Sequence, residues 1–303
     1  MPHPNPSFSD LEAKQSKYLI DMALDEDLGT LGDITSLSTI PEASTIIGRF
    51  VARRDGVICG LPIVGLIAER FQPGIHWKPF ISDGDRVSPG EVIGEVQGQT
   101  RSILALERIS LNFLQRLSGV ATLTARFVEK TTNTRAQILD TRKTTPGWRI
   151  LEKYAVRCGG GHNHRIGLHD AILIKDNHLA ALSANGCVKP ITEAVQRARA
   201  YAGPKVFVTV EVDGLDQLSE ALKASPDCIL LDNFTPAMAA QAIKLRDVQA
   251  PKVLLEISGG LNLNSVGEFA SLQVDRLSVG AITHSAPALD VALDFQETAN
   301  GTH

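Results

Sequence analysis

Short apolar runs recur through the second half of the chain: AQILD (136–140), AILIKD (171–176), VFVTVEV (206–212), CILLD (228–232), VLLEIS (253–258) and RLSVG (276–280). The later steps, from Val206 to Ile229, to Leu254 and to Leu277, are each about 24 residues, one strand plus one returning helix. A strand apolar on both sides of its pleat has to be covered on both faces, which a parallel sheet wrapped by helices provides. Six runs are visible, and a weaker one has room to make a seventh. The pattern therefore favours an α/β barrel of low strand count over an open doubly wound sheet.

The first 130 residues follow another plan. From Asp10 to about Leu28 the residues Leu11, Tyr18, Leu19, Met22 and Ala23 keep helical spacing, and the stretch stops at Gly29. STIIGRFVARRDGVICG (44–60) alternates as strands do, LPIVGLIAERF (61–71) suits a short helix, and SDGDRVSPGEVIGEVQG (82–98) packs turn residues around two short strands. The last of these looks like the hammerhead of biotinyl or lipoyl carriers, but no carrier lysine in a tight hairpin follows it, and turn chemistry accounts for each Gly, Asp and Pro. From Arg101 to about Thr131 helical spacing returns, with Gly119 a candidate break into two helices. The expected plan is an N-terminal α/β domain over 1–130, a barrel over 131–289, and a chain end, 290–303, that packs back on the first domain.

Composition excludes several function classes. With 303 residues, 43% hydrophobic, 21% charged and a net charge of -4, the chain has no electrostatic footprint for nucleic acid or an anionic membrane. Cys59, Cys158, Cys187 and Cys228 are scattered without a C-x-x-C pair, which argues against a zinc ribbon or disulfide framework and fits a reducing compartment. No apolar run reaches the roughly 18 residues that span a bilayer, and the opening MPHPNPSFSD is Pro-rich and polar, unlike a signal peptide. A cytoplasmic protein with a frayed N-terminus is expected.

Chemistry collects where the apolar runs end. Arg142 and Lys143 follow the first run, Lys175 the second, Glu211 and Asp232 close the third and fourth, and Ser258, Gly259, Gly260 and Gly280 follow the last two. In an α/β barrel the site is built at the C-terminal strand ends, because the loops converge there. A single Asp or Glu after a strand is commonly a helix cap, but capping does not explain Arg142, Lys143 and Lys175. With His164 and Arg165 they predict a mouth for a polyanion. The turns SGG (258–260) and VGAIT (279–283) suit a phosphate held by backbone N–H groups. Glu211 and Asp232 could accept sugar hydroxyls, hold Mg²⁺ through water, or balance the lysines.

The segment GGGHNHRIGLHD (159–170) raises a metal alternative. Zinc needs three or four converging ligands, whereas His162, His164 and His169 are spaced by two and five residues without a cysteine or acidic partner pattern. The glycines read as a tight turn exposing its backbone to the site, and His162 and His169 as supporting residues.

DTRKTTPGWRILEKYAVRCGGGHNHRIGLHDAILIKDNH (140–178), with EDLGTLGDITS (26–36), ERISLNFLQRLSG (107–119), EVD (211–213), LLDN (230–233) and EISGG (256–260), closely resembles the quinolinate phosphoribosyltransferase family over nearly the whole chain. The resemblance implies an N-terminal α/β sandwich, a seven-stranded α/β barrel and a homodimer whose partner subunit completes each site. It implies conversion of quinolinate and phosphoribosyl pyrophosphate, with Mg²⁺, into nicotinate mononucleotide, pyrophosphate and carbon dioxide. By that likeness Arg142, His164 and Arg165, with Arg108 from the partner, hold the two carboxylates. Lys143 and Lys175 face substrate and pyrophosphate charge, Glu211 and Asp232 the ribose hydroxyls and metal, and Ser258, Gly259, Gly260 and Gly280 the 5'-phosphate. A sister transferase that takes nicotinate has one carboxylate to hold, so four cations at the base argue for the diacid.

Overall fold

The computed structural model describes residues 6–71 and 74–295. The expected frayed start, 1–5, and the end of the expected return, 296–303, lie outside the described residues. In chain order the elements are α1 (Asp10–Leu28), α2 (Ile34–Thr39), β1 (Thr45–Ala52), β2 (Gly56–Val57), α3 (Leu61–Glu69), β3 (His76–Pro79), β4 (Arg86–Val87), β5 (Val92–Gln99), α4 (Thr100–Lys130), β6 (Gln137–Leu139) and α5 (Arg149–Cys158). There follow β7 (Ile172–Ile174), α6 (Asp176–Ala184), α7 (Pro190–Ala202), β8 (Val208–Val212), α8 (Leu215–Ala224), β9 (Cys228–Asp232), α9 (Pro236–Gln249), β10 (Leu254–Ser258), α10 (Val266–Ser271), β11 (Arg276–Ser278), α11 (Ala281–His284) and β12 (Val291–Phe295). Among the described residues no helix is long and apolar enough to cross a membrane.

The described residues form two compact units. One gathers those up to Ala125, Thr144–Gly160 and those from Ser285 on; the other holds Arg126–Lys143 and Gly161–His284. A single cut near residue 130 does not describe this division, since α5 belongs with the first unit although its sequence lies inside the expected barrel.

The first unit is built on an antiparallel sheet in the order β12-β1-β5-β3. β12 lies against β1 with Val291 opposite Ala52 and Phe295 opposite Gly48. Helix α3 is preceded by Gly60, which has no side chain to cap it, and the capping comes from Asp83. Its carboxylate accepts the N–H groups of Gly60 and Leu61 at 2.9 and 3.0 Å and the Tyr154 hydroxyl at 2.8 Å. Asp83 also lies beside the thiols of Cys59 and Cys158, a buried group close enough together to hold an ion. Because both its oxygens are already committed to donors, its evident work is to cap the helix.

Gly119 does not break α4, which runs unbroken from Thr100 to Lys130. The glycine is there for clearance: a Cβ at this position would stand 2.1 Å from the Pro287 carbonyl oxygen.

The second unit is a parallel sheet in the order β6-β11-β10-β9-β8-β7, so all six apolar runs are strands. Its first strand is bonded to its last, Leu277 opposite Ile138, as in a sheet that curls round on itself. The seventh position is reduced to a single parallel bridge from His162 to Leu139. There His162 N–H donates to Ile138 O at 2.8 Å and Asp140 N–H to His162 O at 3.1 Å. No ladder joins His162 to β7 among the described residues, so the barrel has one open seam. The core strands are fully buried: Val208, Val210, Val212, Ile229, Leu231, Leu255 and Leu277 show no exposure, as runs sandwiched between helices require.

Replacing a mid-helix glycine by alanine ordinarily stabilises a helix by about 1 kcal/mol. At Gly119 the clash with Pro287 reverses the sign, and Gly119→Ala is expected to lower stability by about 1–2 kcal/mol, read as a lower urea midpoint at unchanged slope.

Candidate active site

Parallel strands end on the same edge, and here those ends surround a cavity of about 620 Å³. Every strand position contributes. Thr141, Arg142 and Lys143 follow β6, His164 and Arg165 follow the bridge, Lys175 follows β7, and β8 and β9 supply Glu211 and Asp232. β10 gives Glu256 and then Ser258, Gly259 and Gly260, and β11 gives Ser278 and then Gly280 and His284. The sequence-expected residues thus meet in one place, except Arg108, which is exposed on α4 in the first unit and is not among the lining residues. Glu256, Ser278 and His284 are additions. The signal for Glu256 was present as a carboxylate inside an otherwise apolar run, whereas nothing in the spacing marks His284.

The histidine-rich segment is held by backbone and buried acids. Asp140, fully buried, accepts Asn163 Nδ2 at 2.6 Å and the His164 N–H at 2.9 Å. His164 Nδ1 accepts the Arg165 N–H at 2.8 Å, and Nε2 lies 3.4 Å from Glu256 Oε1. With Nδ1 accepting, the imidazole proton sits on Nε2. Both ring nitrogens therefore have protein partners, and His164 lines the cavity with its ring held in place.

The glycines before it are not among the residues lining the cavity. Gly159 lets the chain approach α4, where a Cβ would stand 2.4 Å from Ala121 O, and Gly160 has φ 82°. His162 contributes its backbone bridge, and the exposed His169 lies over Gly167. Asp170 closes the loop by accepting the N–H groups of Ile166 and Gly167, both at 2.7 Å.

Charge is arranged in two groups. On one wall, burial and then the neighbouring Arg142 push the Arg165 guanidinium below its ordinary pKa, while its Nη1 donates to Ala171 O at 3.2 Å. Two guanidinium groups within electrostatic reach of each other suit a ligand with two carboxylates. Opposite in character is the β7–β9 side, where Lys175 Nζ donates to Glu211 Oε2. Burial raises the Asp232 pKa; the Lys175 charge works against it, Asp213 adds to it, and Lys143 and Asp176 act more weakly in opposite senses. Below them, burial presses the Glu256 pKa up, but the hydrogen bonds from His164 and the Ser278 hydroxyl and the charge of Arg276 outweigh it and leave the pKa lowered.

The late strands shape the third side. Gly259 has φ 98°, and a Cβ there would stand 2.1 Å from Asn233 Oδ1, so only glycine fits between the β9 and β10 turns. At Gly280 a Cβ would meet Lys143 Cδ at 3.1 Å and His284 Nε2 at 3.2 Å, which puts a lysine and a histidine over one bare turn. Thr283 holds that lysine's backbone by donating to Lys143 O at 2.8 Å. The result is a stretch of cavity lining made of glycine turns beside Lys143, where backbone N–H groups and a cation can meet an anion.

Comparison with known proteins agrees with this geometry. Residues 33–118 match the family described as quinolinate phosphoribosyl transferase, N-terminal domain, and residues 120–294 match its C-terminal domain. The chain is 43% identical to the nicotinate-nucleotide pyrophosphorylase [carboxylating] of Mycobacterium leprae, over 95% of this chain and 99% of that protein. It is 42% identical to the probable enzyme of the same name from Bacillus subtilis, over 92% and 93%. The solved nicotinate-nucleotide pyrophosphorylase from Francisella tularensis superimposes with a TM-score of 0.87 at 37% identity, covering 96% of this chain and 98% of that one. Both family domains are matched in order and the relatives are covered almost end to end: the chain belongs to the quinolinate phosphoribosyltransferase family.

Proposed function

We propose that this chain is a pentosyltransferase of NAD biosynthesis that joins quinolinate to phosphoribosyl pyrophosphate with loss of carbon dioxide, giving nicotinate mononucleotide and pyrophosphate. The observation that carries the reading is the pairing of Arg142 with Arg165 on one wall of a cavity whose opposite turns are bare, cationic and glycine-lined. A planar diacid fits the first and a phosphorylated sugar the second.

In this reading Arg142 and Arg165 hold the two carboxylates of the base, with Arg108 of a second copy completing the wall in a homodimer. The bare turns at Ser258, Gly259, Gly260 and Gly280 take the 5'-phosphate. Glu211 and Asp232 accept the ribose hydroxyls. The same two carboxylates, with Asp213 and Asp176 acting on Asp232, suit a magnesium ion that keeps most of its water shell, and when bound it would neutralise charge on the departing pyrophosphate. The pyridine nitrogen attacks the anomeric carbon as the bond to pyrophosphate breaks, and Lys143 and Lys175 stabilise the charge that leaves. The ring nitrogen is then cationic. The carbon–carbon bond to the adjacent carboxylate breaks, its electron pair remains on the ring carbon beside that cation, and Lys143 returns a proton there. The four thiols, all unpaired, support a cytoplasmic setting.

Carbon dioxide release from quinolinate, assayed beside product formation from nicotinate, tests the reading. Quinolinate is expected to be the substrate, and preference for nicotinate would overturn it. Arg142→Ala removes a charge-assisted contact to the diacid and is expected to raise the KM for quinolinate about 10- to 100-fold, measured at saturating phosphoribosyl pyrophosphate. In single turnover Lys143→Met should slow formation of the ribosyl bond, through the lost charge, and slow the later decarboxylation and protonation further; unchanged decarboxylation with weakened binding alone would remove Lys143 from that role.

A further inference from the structure

Glu256 has no part in the scheme above, yet it is fully buried in the middle of β10 while its carboxylate reaches the cavity wall. A buried carboxylate is costly unless its partners are well placed. Those partners are specific. Oε1 accepts the Ser278 hydroxyl and lies 3.4 Å from His164 Nε2, and Oε2 lies 3.9 Å from Cys228 Sγ. The Ser278 hydroxyl and the imidazole both face this carboxylate, and the imidazole has a second hydrogen bond, at Nδ1, that depends on where its proton sits.

His164 passes the constraint on. Its far nitrogen, Nδ1, accepts the Arg165 N–H at 2.8 Å, and this bond forms only when the proton sits on Nε2, the nitrogen facing Glu256. The same residue's own N–H is fixed by Asp140 at 2.9 Å. From Glu256 through His164 to the Arg165 backbone there is thus an unbroken line of contacts, ending where the Arg165 side chain sets out along the cavity wall.

We propose that Glu256 is a positioning residue for the base-binding wall: it selects the Nε2–H form of His164, which holds the Arg165 backbone and thereby aims the guanidinium at a substrate carboxylate. The inference rests on the quinolinate reading of the cavity. It separates the two substrates, because the line of contacts ends at Arg165 and does not involve Gly259 or Gly280.

The test uses the full-length protein. Long-range nitrogen–proton spectra of the wild type, with His164 assigned from His164→Asn, are expected to show the Nε2–H tautomer. Glu256→Gln is expected to raise the KM for quinolinate about tenfold while the KM for phosphoribosyl pyrophosphate stays within about twofold, and to shift the His164 signals. In the His164→Asn background the same change should add less than about twofold, since a residue acting through another loses its effect when that partner is gone. An Nδ1–H tautomer in the wild type overturns the proposal even if Glu256→Gln does not fold. So does a parallel rise of both KM values, or multiplicative effects of the two substitutions. A wild type that makes no product from quinolinate overturns the functional reading and this inference with it; normal wild-type turnover with any of the other results overturns this inference alone.

Discussion

Pairing of the first parallel strand with the last is the constraint on which the site depends. Pairing Leu277 with Ile138 curls six short strands until their carboxyl ends face a shared centre. Residues as far apart in sequence as Arg142 and His284 then line one cavity. An open sheet with the same strands would spread the same cations along an edge, where water screens them from one another. Curled together, they create a field that a polyanion can enter and satisfy.

That gathering of charge has to be held against its own repulsion. The second unit does so with acids of different depth: Glu211 takes Lys175 at the mouth, Asp140 fixes the segment carrying His164, and Glu256 lies beneath the histidine with no exposure. The deeper acids have their charge neutralised or their donors supplied by fixed groups, so they need no ligand. The shallower carboxylates at Glu211 and Asp232 keep a face toward the cavity. Depth thus divides carboxylates enclosed by fixed partners from those that keep some exposure at the cavity.

The glycines divide in the same way. Gly259 clears a space that faces the cavity, and Gly159 and Gly119 clear space for neighbouring backbone. In a sequence the three look alike, because the absence of a side chain says nothing about what approaches it.

Much of this was legible from residue patterns. Fully apolar runs at about 24-residue spacing could only be strands covered on both faces, and cations placed just after such runs had no structural task that a helix cap would serve. Hence the strands and the cluster from Arg142 to Gly280 could be named from periodicity and residue type. Tertiary structure decided what pattern cannot carry. That Gly119 leaves α4 unbroken depends on a carbonyl at Pro287, and the place of α5 in the first unit depends on contacts remote in sequence. The partner of the His164 ring was likewise hidden, because Glu256 arrives from a strand about ninety residues later. Local propensity fixes which residues alternate or repeat, but hydrogen-bond partners across a sheet are chosen only when the chain closes.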